Sequence, residues 1–373
     1  MVSFAAKSLP VLIYHYTNNS GTPLTMPVNV FEEHCRILAE NGWHGICLEE
    51  AEAFFLGEGP LPPKSVLISF DDGYLDNYVY AWPILRKYGH KGVIFPVADV
   101  VTATSELQGE LLRPTLDDVW NGRVSEQELP PVDTPIRKHC LGYDMRQDFF
   151  ISWAEARVME QSGVISLGGH SLRHEAVYVS SAYTNYFQPG SVTAPFNHAV
   201  RDVCWGMPMF ERAAELTSRA FVPSSEMISA IRALVPQDDK GAAAFFSNPQ
   251  NVAVLEKLVA SFGSDMGKYE NEEEKYNRIF GIMRANQDIL TRNLGHSVKS
   301  FCWPWGIKDP VSIKAGQEAG FTVFYNVRPG PNSAGNPASV NRFNAKLKAE
   351  KVLNRVRIYS RPWLGEIYRR CRI

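Results

Sequence analysis

Four times in this chain a helical stretch ends on a glycine just before a short apolar run. Gly42 precedes Gly45-Ile46-Cys47, Gly89 precedes Gly92-Val93-Ile94-Phe95, Gly163 precedes Val164-Ile165-Ser166-Leu167, and Gly320 precedes Phe321-Thr322-Val323-Phe324-Tyr325. Glycine at the end of a helix accepts the left-handed backbone that turns the chain back. Repeated between helix and strand, it predicts an α/β fold with parallel strands. Val11–Tyr14, Ser65–Phe70 and Val298–Trp303 read as further buried strands. The total is about seven, with Gly45-Ile46-Cys47 as the weak extra, close to the eight of a β/α barrel.

Caps agree with this grammar. Asn29 is a candidate cap for the helix carrying Phe31, Cys35 and Leu38. Ser152-Trp153-Ala154-Glu155 has capping-box spacing, and Asp309-Pro310 reads as N-cap and first helical residue. Two segments break the rhythm: a loop-rich insertion at 101–150 with Pro114, Pro130, Pro131 and Pro135, and a long insertion at 175–290 that turns from aromatic to helical. The expected organisation is a barrel over 1–341 containing both insertions, then a basic aromatic tail over 342–373. That tail carries ten Lys and Arg against Glu350 and Glu366, whereas the chain as a whole has net charge −2. Trp363, Leu364, Ile367 and Tyr368 alternate there with Arg361, Arg369, Arg370 and Arg372, a pattern for peripheral contact with an anionic membrane or for a solvated helix on an acidic body. The near-neutral balance gives no expectation of nucleic acid as a partner. No secretory leader is visible in residues 1–10 and the six cysteines form no C-x-x-C pair, so the expected location is cytoplasmic, at most at the inner face of the membrane.

In parallel β/α folds reactive groups gather at the carboxyl ends of strands. His15 follows the first strand, Asp71 and Asp72 the Ser65 strand, and His170 and His174 the Val164 strand. Pro304-Trp305-Gly306 follows the Val298 strand, and Asn326 and Arg328 follow the last. Each alone has an ordinary reading: Asp71-Asp72-Gly73 as a turn, the two histidines as solvated residues. Together, two imidazoles and a carboxylate are a recurring ligand set for a catalytic divalent metal, with a second carboxylate beside it as a general base.

Ser69-Phe70-Asp71-Asp72-Gly73 and His170-Ser171-Leu172-Arg173-His174 resemble the first two motifs of the polysaccharide deacetylases, the NodB-homology carbohydrate esterases. Tyr14-His15 and Trp303-Pro304-Trp305-Gly306 resemble the subgroup acting on poly-N-acetylglucosamine and related exopolysaccharides. The matches cover about half the chain and leave out the insertions and tail. The resemblance implies a distorted (β/α)7 barrel, metal ligation by Asp72, His170 and His174 (usually zinc, sometimes cobalt or nickel), and Asp71 as general base. It implies hydrolytic N-deacetylation of an N-acetylated sugar or glycan intermediate in surface-polysaccharide synthesis. Tyr74, Pro304, Trp305, Asn326 and Arg328 are the candidate substrate-side residues, with the Tyr74 backbone N–H a candidate oxyanion donor.

Two family features are missing. The arginine that usually precedes the proline of the third motif, where it orients the base, is replaced by Phe301-Cys302-Trp303, which leaves Trp305 or Arg328 to take over. The late histidine that supplies the general acid is absent, since no His follows residue 330. His15 is the best substitute, His198 the second, and His296 belongs at the opposite end. Trp303, Tyr325 and Phe95 could add to a sugar-stacking groove or to the core. The competing classes are an amidohydrolase for a small non-sugar amide and an inactive glycan-binding relative.

Overall fold

A computed structural model describes residues 5–21, 24–132, 138–139, 142–143, 147–190, 200, 203–345 and 348–371. Its centre is a set of parallel strands: β1 (Val11–Tyr14), β2 (Ser65–Asp72), β3 (Gly92–Pro96), β4 (Ile165–Leu167), β5 (Ser300–Cys302), β6 (Val323–Tyr325) and β7 (Phe343–Asn344). β7, β1, β2, β3 and β4 pair in that order, and β5 pairs with β6. Two single bridges, Gly169 to Phe301 and Tyr325 to Val340, join the two sheets at both margins. The result is a seven-membered ring in chain order, the distorted barrel expected. Every residue of β2 is buried, as befits a strand covered on both faces.

Among the described residues, helices that enclose or extend the ring include α1 (Val28–Glu40), α2 (Leu48–Leu56), α3 (Trp82–Lys87), α4 (Trp153–Gln161), α5 (Glu272–Leu294), α6 (Pro310–Glu318), α7 (Ala349–Tyr359) and α8 (Pro362–Arg370). Ser152 caps α4 and Asp309 caps α6 as expected. Asn29 is not a cap; Pro27 holds that position and α1 begins at Val28, two residues earlier than expected. Among the described residues no helix is long and apolar enough to cross a membrane.

The domain boundaries differ from the sequence expectation in three places. The weak extra strand, His44–Gly45, pairs only with the start of β2 and stands outside the ring. The seventh ring position is taken by β7, in the segment read as the start of the tail. The segment 342–373 is therefore not a separate tail: Val352, Leu353, Val356 and Tyr359 of α7 are buried in the main core with Phe31 and Leu38 of α1. Each such buried side chain contributes about 1.5–3 kcal/mol.

The second insertion is also shorter than 175–290. Ile279, Ile282, Met283 and Leu290 of α5 belong to the barrel core. What projects is a hairpin of Ala176–Tyr186 against Pro208–Ala214, followed by the helices Ser225–Leu234, Asp239–Phe246 and Pro249–Phe262. These share a core of their own, around Trp205, Phe210, Phe221 and Ile231. The loop-rich segment begins as a helix, Ala98–Gln108. It is pinned to α4 by Arg113, whose Nε and Nη2 donate to the fully buried Glu155 carboxylate at 2.7 and 2.6 Å.

Candidate active site

Asp71 and Asp72 end β2, and the loop after β4 carries His170 and His174. The backbone there is held in an uncommon conformation. Among the described residues five non-glycine positions have positive φ: Lys64, Asp72, Ser171, His174 and Trp305. Four of the five surround this point, although left-handed backbone costs an ordinary residue about 1–2 kcal/mol. Surrounding packing enforces it. A Cβ on Gly169 would lie 2.7 Å from Asn286 Oδ1 on α5, whose Nδ2 donates to the Ser171 carbonyl at 2.9 Å.

The side chains converge as the strand ends predict. His170 Nε2 lies 3.4 Å and His174 Nε2 4.0 Å from Asp72 Oδ1, an oxygen that is buried and receives no hydrogen bond. His170 Nδ1 lies 2.8 Å from the Cys302 carbonyl at the end of β5. Donation there fixes the tautomer and turns the Nε2 lone pair toward Asp72. Burial would raise Asp72, but the two imidazoles outweigh it and hold the carboxyl well below the usual range. His174 is pushed down to about 4 by burial and by its neighbour His170. His170 goes the other way: burial opposes its charge, but Cys302 and Asp72 raise it well above its ordinary value. Two carboxylates thus favour one positive charge among the imidazoles, a charge that a divalent cation would supply in place of the proton. Asp72, His170 and His174 offer three ligand atoms within 4.8 Å of one another, a donor set suited to such an ion.

A second group, Asp71, His170 and Cys302, is equally compact, but its cation is already supplied by the protein. Arg342, fully buried, donates from Nη1 to Asp71 Oδ1 at 2.7 Å and from Nη2 to Asp71 Oδ2 at 2.9 Å. Its Nη2 also lies 2.7 Å from Cys302 Sγ, and its Nε donates to the Asn326 carbonyl at 2.9 Å. Burial would raise Asp71; the guanidinium, with His170, holds it below the ordinary carboxylate value. The planar fork also fixes the carboxylate's orientation.

Arg342 corrects the sequence reading. The sequence alone counts it as tail charge and leaves the base-orienting role to Trp305 or Arg328. Arg328 is exposed and meets Arg342 only through its backbone carbonyl. Trp305 sits instead against His174, its ring 4.6 Å from that imidazole. A lone arginine among buried Val340, Phe343 and Ala345 was the available signal.

The remaining candidates divide. His15 is half-buried with Nε2 3.9 Å from Asp71 Oδ2, on the flank where a cleft of about 880 Å³ opens between the first turns of α1 and α7. Leu24, Met26, Val30 and Ala345 make that cleft largely apolar. Pro304 is buried. Asn326 is buried, and its side chain organises its own loop by accepting from the Arg328 N–H at 2.7 Å and donating to Ser339 Oγ at 2.9 Å. Tyr74 is stacked between Tyr16 and Phe150 and is 2% exposed, so its ring offers no face to a sugar. Trp303, Tyr325 and Phe95 are likewise fully buried, which leaves Trp305 as the part-exposed aromatic of that set. His296 pairs with Glu160 and His198 lies outside the described residues.

Residues 58–199, which include both carboxylates and both histidines, match the polysaccharide deacetylase family model. Over that stretch the chain is similar to the polysaccharide deacetylases. It is 38% identical over 105 residues to the Bacillus subtilis (strain 168) protein named "Putative polysaccharide deacetylase YxkH", a match covering 28% of this chain and 37% of that protein. It is 24% identical over 150 residues to the poly-beta-1,6-N-acetyl-D-glucosamine N-deacetylase of Escherichia coli (strain K12), covering 40% of this chain and 18% of that one. The matches therefore span little more than a third of the first relative and under a fifth of the second. The fold is shared much more widely. A de-N-acetylase from Aggregatibacter actinomycetemcomitans superposes with a TM-score of 0.59 at 19% identity, over 93% of this chain and 99% of that one. The BpsB deacetylase domain of Bordetella bronchiseptica gives 0.54 at 20% identity, over 91% and 96%.

Proposed function

We propose that this deacetylase domain hydrolyses the acetamide of an N-acetylated amino sugar in a glycan, with a divalent metal held by Asp72, His170 and His174. Zinc suits two imidazoles and one carboxylate best, and cobalt or nickel would be accepted. The observation that carries the reading is a carboxylate, Asp71, braced by a buried guanidinium one residue from that donor set. A metal bound there would polarise the amide carbonyl and bring water toward deprotonation near neutral pH.

The protein's own groups supply the rest. Asp71 remains ionised at neutral pH and accepts the proton of the attacking water. His15, whose Nε2 lies 3.9 Å from Asp71 Oδ2, returns a proton to the departing amine. The cleft beside His15 leaves room for the sugar bearing that amine, and its size is that of an ordinary ligand site. Acetate and a free amino sugar are the products.

The experiment is metal analysis of the purified protein beside a His170→Ala/His174→Ala variant, with acetate release measured on N-acetylglucosamine oligomers. About one equivalent of metal in the parent, none in the variant, and acetate from the parent alone are expected. A parent that takes up no metal even after soaking with zinc would overturn the reading in favour of a glycan-binding module. Metal uptake with release of ammonia from small amides, and none of acetate from sugars, would favour the amidohydrolase.

A further inference from the structure

The opposite end of the barrel, where the strands begin, carries charge of another kind. Lys7 stands before β1, Lys64 before β2, and Arg357 and Arg361 at the end of α7. With Trp43 and Ser360 they line a hollow of about 580 Å³. No carboxylate lines it, and among the described residues none of the four cations forms an ion pair. Lys64 is the fifth non-glycine residue with positive φ and the one remote from the reaction centre; its Nζ donates to the Asn41 carbonyl at 2.9 Å. Arg357 Nη2 donates to Asn41 Oδ1 at 2.8 Å. These bonds gather two of the cations on one residue.

The hollow runs into α8, whose first turn follows Arg361. One side of α8 is seated on the barrel, with Gly365 against Pro331. Trp363 and Ile367, one turn apart, are 67% and 52% exposed, and Trp363 is the most exposed large apolar side chain among the described residues. Arg370 continues the same stripe. Ser8 Oγ donates to the Tyr359 carbonyl at 2.7 Å, and Leu9 N–H to Asn332. The first of these holds the end of α7, and with it the start of α8, beside the amino end of β1.

We propose that this end of the barrel binds the surface of an anionic phospholipid membrane. The hollow takes a headgroup phosphate while Trp363 and Ile367 enter the interface. Cations attract an anionic leaflet, and an amphipathic tryptophan favours the headgroup level. Either contribution alone gives weak, reversible binding; together they make two signals. The proposal does not depend on the reaction assigned above.

The test is sedimentation of the full chain with vesicles of phosphatidylcholine alone and of phosphatidylcholine mixed with phosphatidylglycerol. Binding to the mixed vesicles only is expected. Lys64→Glu/Arg357→Glu and, separately, Trp363→Ala/Ile367→Ala should each weaken it about tenfold or more. Far-ultraviolet circular dichroism and acetate release from a soluble oligomer should match the parent, which separates loss of binding from loss of fold. Equal binding to both vesicle types, or no change in either variant, would overturn the proposal. So would displacement by inorganic phosphate with Trp363→Ala/Ile367→Ala unaffected, which would make the hollow a site for free phosphate.

Discussion

The two ends of the barrel hold charge in opposite ways. At the carboxyl ends Asp71, Asp72, His170 and Arg342 are all nearly inaccessible, and each is matched by an opposite charge or a ring within reach. At the amino ends Lys7, Lys64, Arg357 and Arg361 face solvent with no carboxylate between them. A buried charge is expensive unless it is paired, so the first arrangement persists only because the fold imposes it. Strained backbone at Asp72, Ser171, His174 and Trp305 is part of that imposition. Exposed cations need no such support and act at longer range, subject to screening by salt. One barrel thus separates a fixed, short-range site from an adaptable, long-range one.

The contrast is broken most strongly by Asp71→Asn. If this carboxylate accepts the proton, acetate release should fall about 10²–10⁴-fold while metal content stays at the parental level. A fall of less than tenfold would remove Asp71 from that role. Arg342→Met should come next, because it leaves Asp71 buried without its cation. Removing one partner of a buried pair costs about 3–5 kcal/mol, measurable by urea denaturation at pH 7. Asp71→Asn in the same chain should recover part of that loss.

A pH profile sharpens the same point. Asp71 is held below its ordinary value, so the contribution of its ion pair is present above about pH 4 and is lost as pH falls through its lowered folded value. Arg342→Gln removes the guanidinium, so the acidic limb of kcat/KM should move to higher pH. An unmoved limb would mean that another group sets it. The smallest effect concerns strain: Ser171→Gly, at φ 72, should change stability by about 1 kcal/mol or less, upward, when thermal unfolding is compared.

Much of the site was legible because strand ends and glycine stops are local signals. Asp71, Asp72, His170, His174 and His15 all lie where the apolar runs end. What escaped was non-local. β7 is two residues long and stands at the head of a basic segment, so composition concealed it. Arg342 therefore looked like one more tail charge, although it is the residue that orients Asp71. The four aromatics Tyr74, Phe95, Trp303 and Tyr325 lie near the centre in sequence terms, but only packing shows that they are core. The long insertion was legible as an interruption; its end was not, because α5 is helical like the helices before it and differs only in which core it joins.

The position of Arg342 has a consequence for the order in which the molecule comes into being. Asp71 and Arg342 are separated by 271 residues. At a synthesis rate of ~5–20 residues per second, the arginine is added on the order of tens of seconds after its partner. Through that interval the nascent chain holds both signature motifs, yet β7 does not stand between β6 and β1 and no cation lies beside Asp71. The brace arrives with the last strand. A chain that stops short of it carries Asp71, Asp72, His170 and His174 but lacks the guanidinium that holds Asp71 in the folded protein.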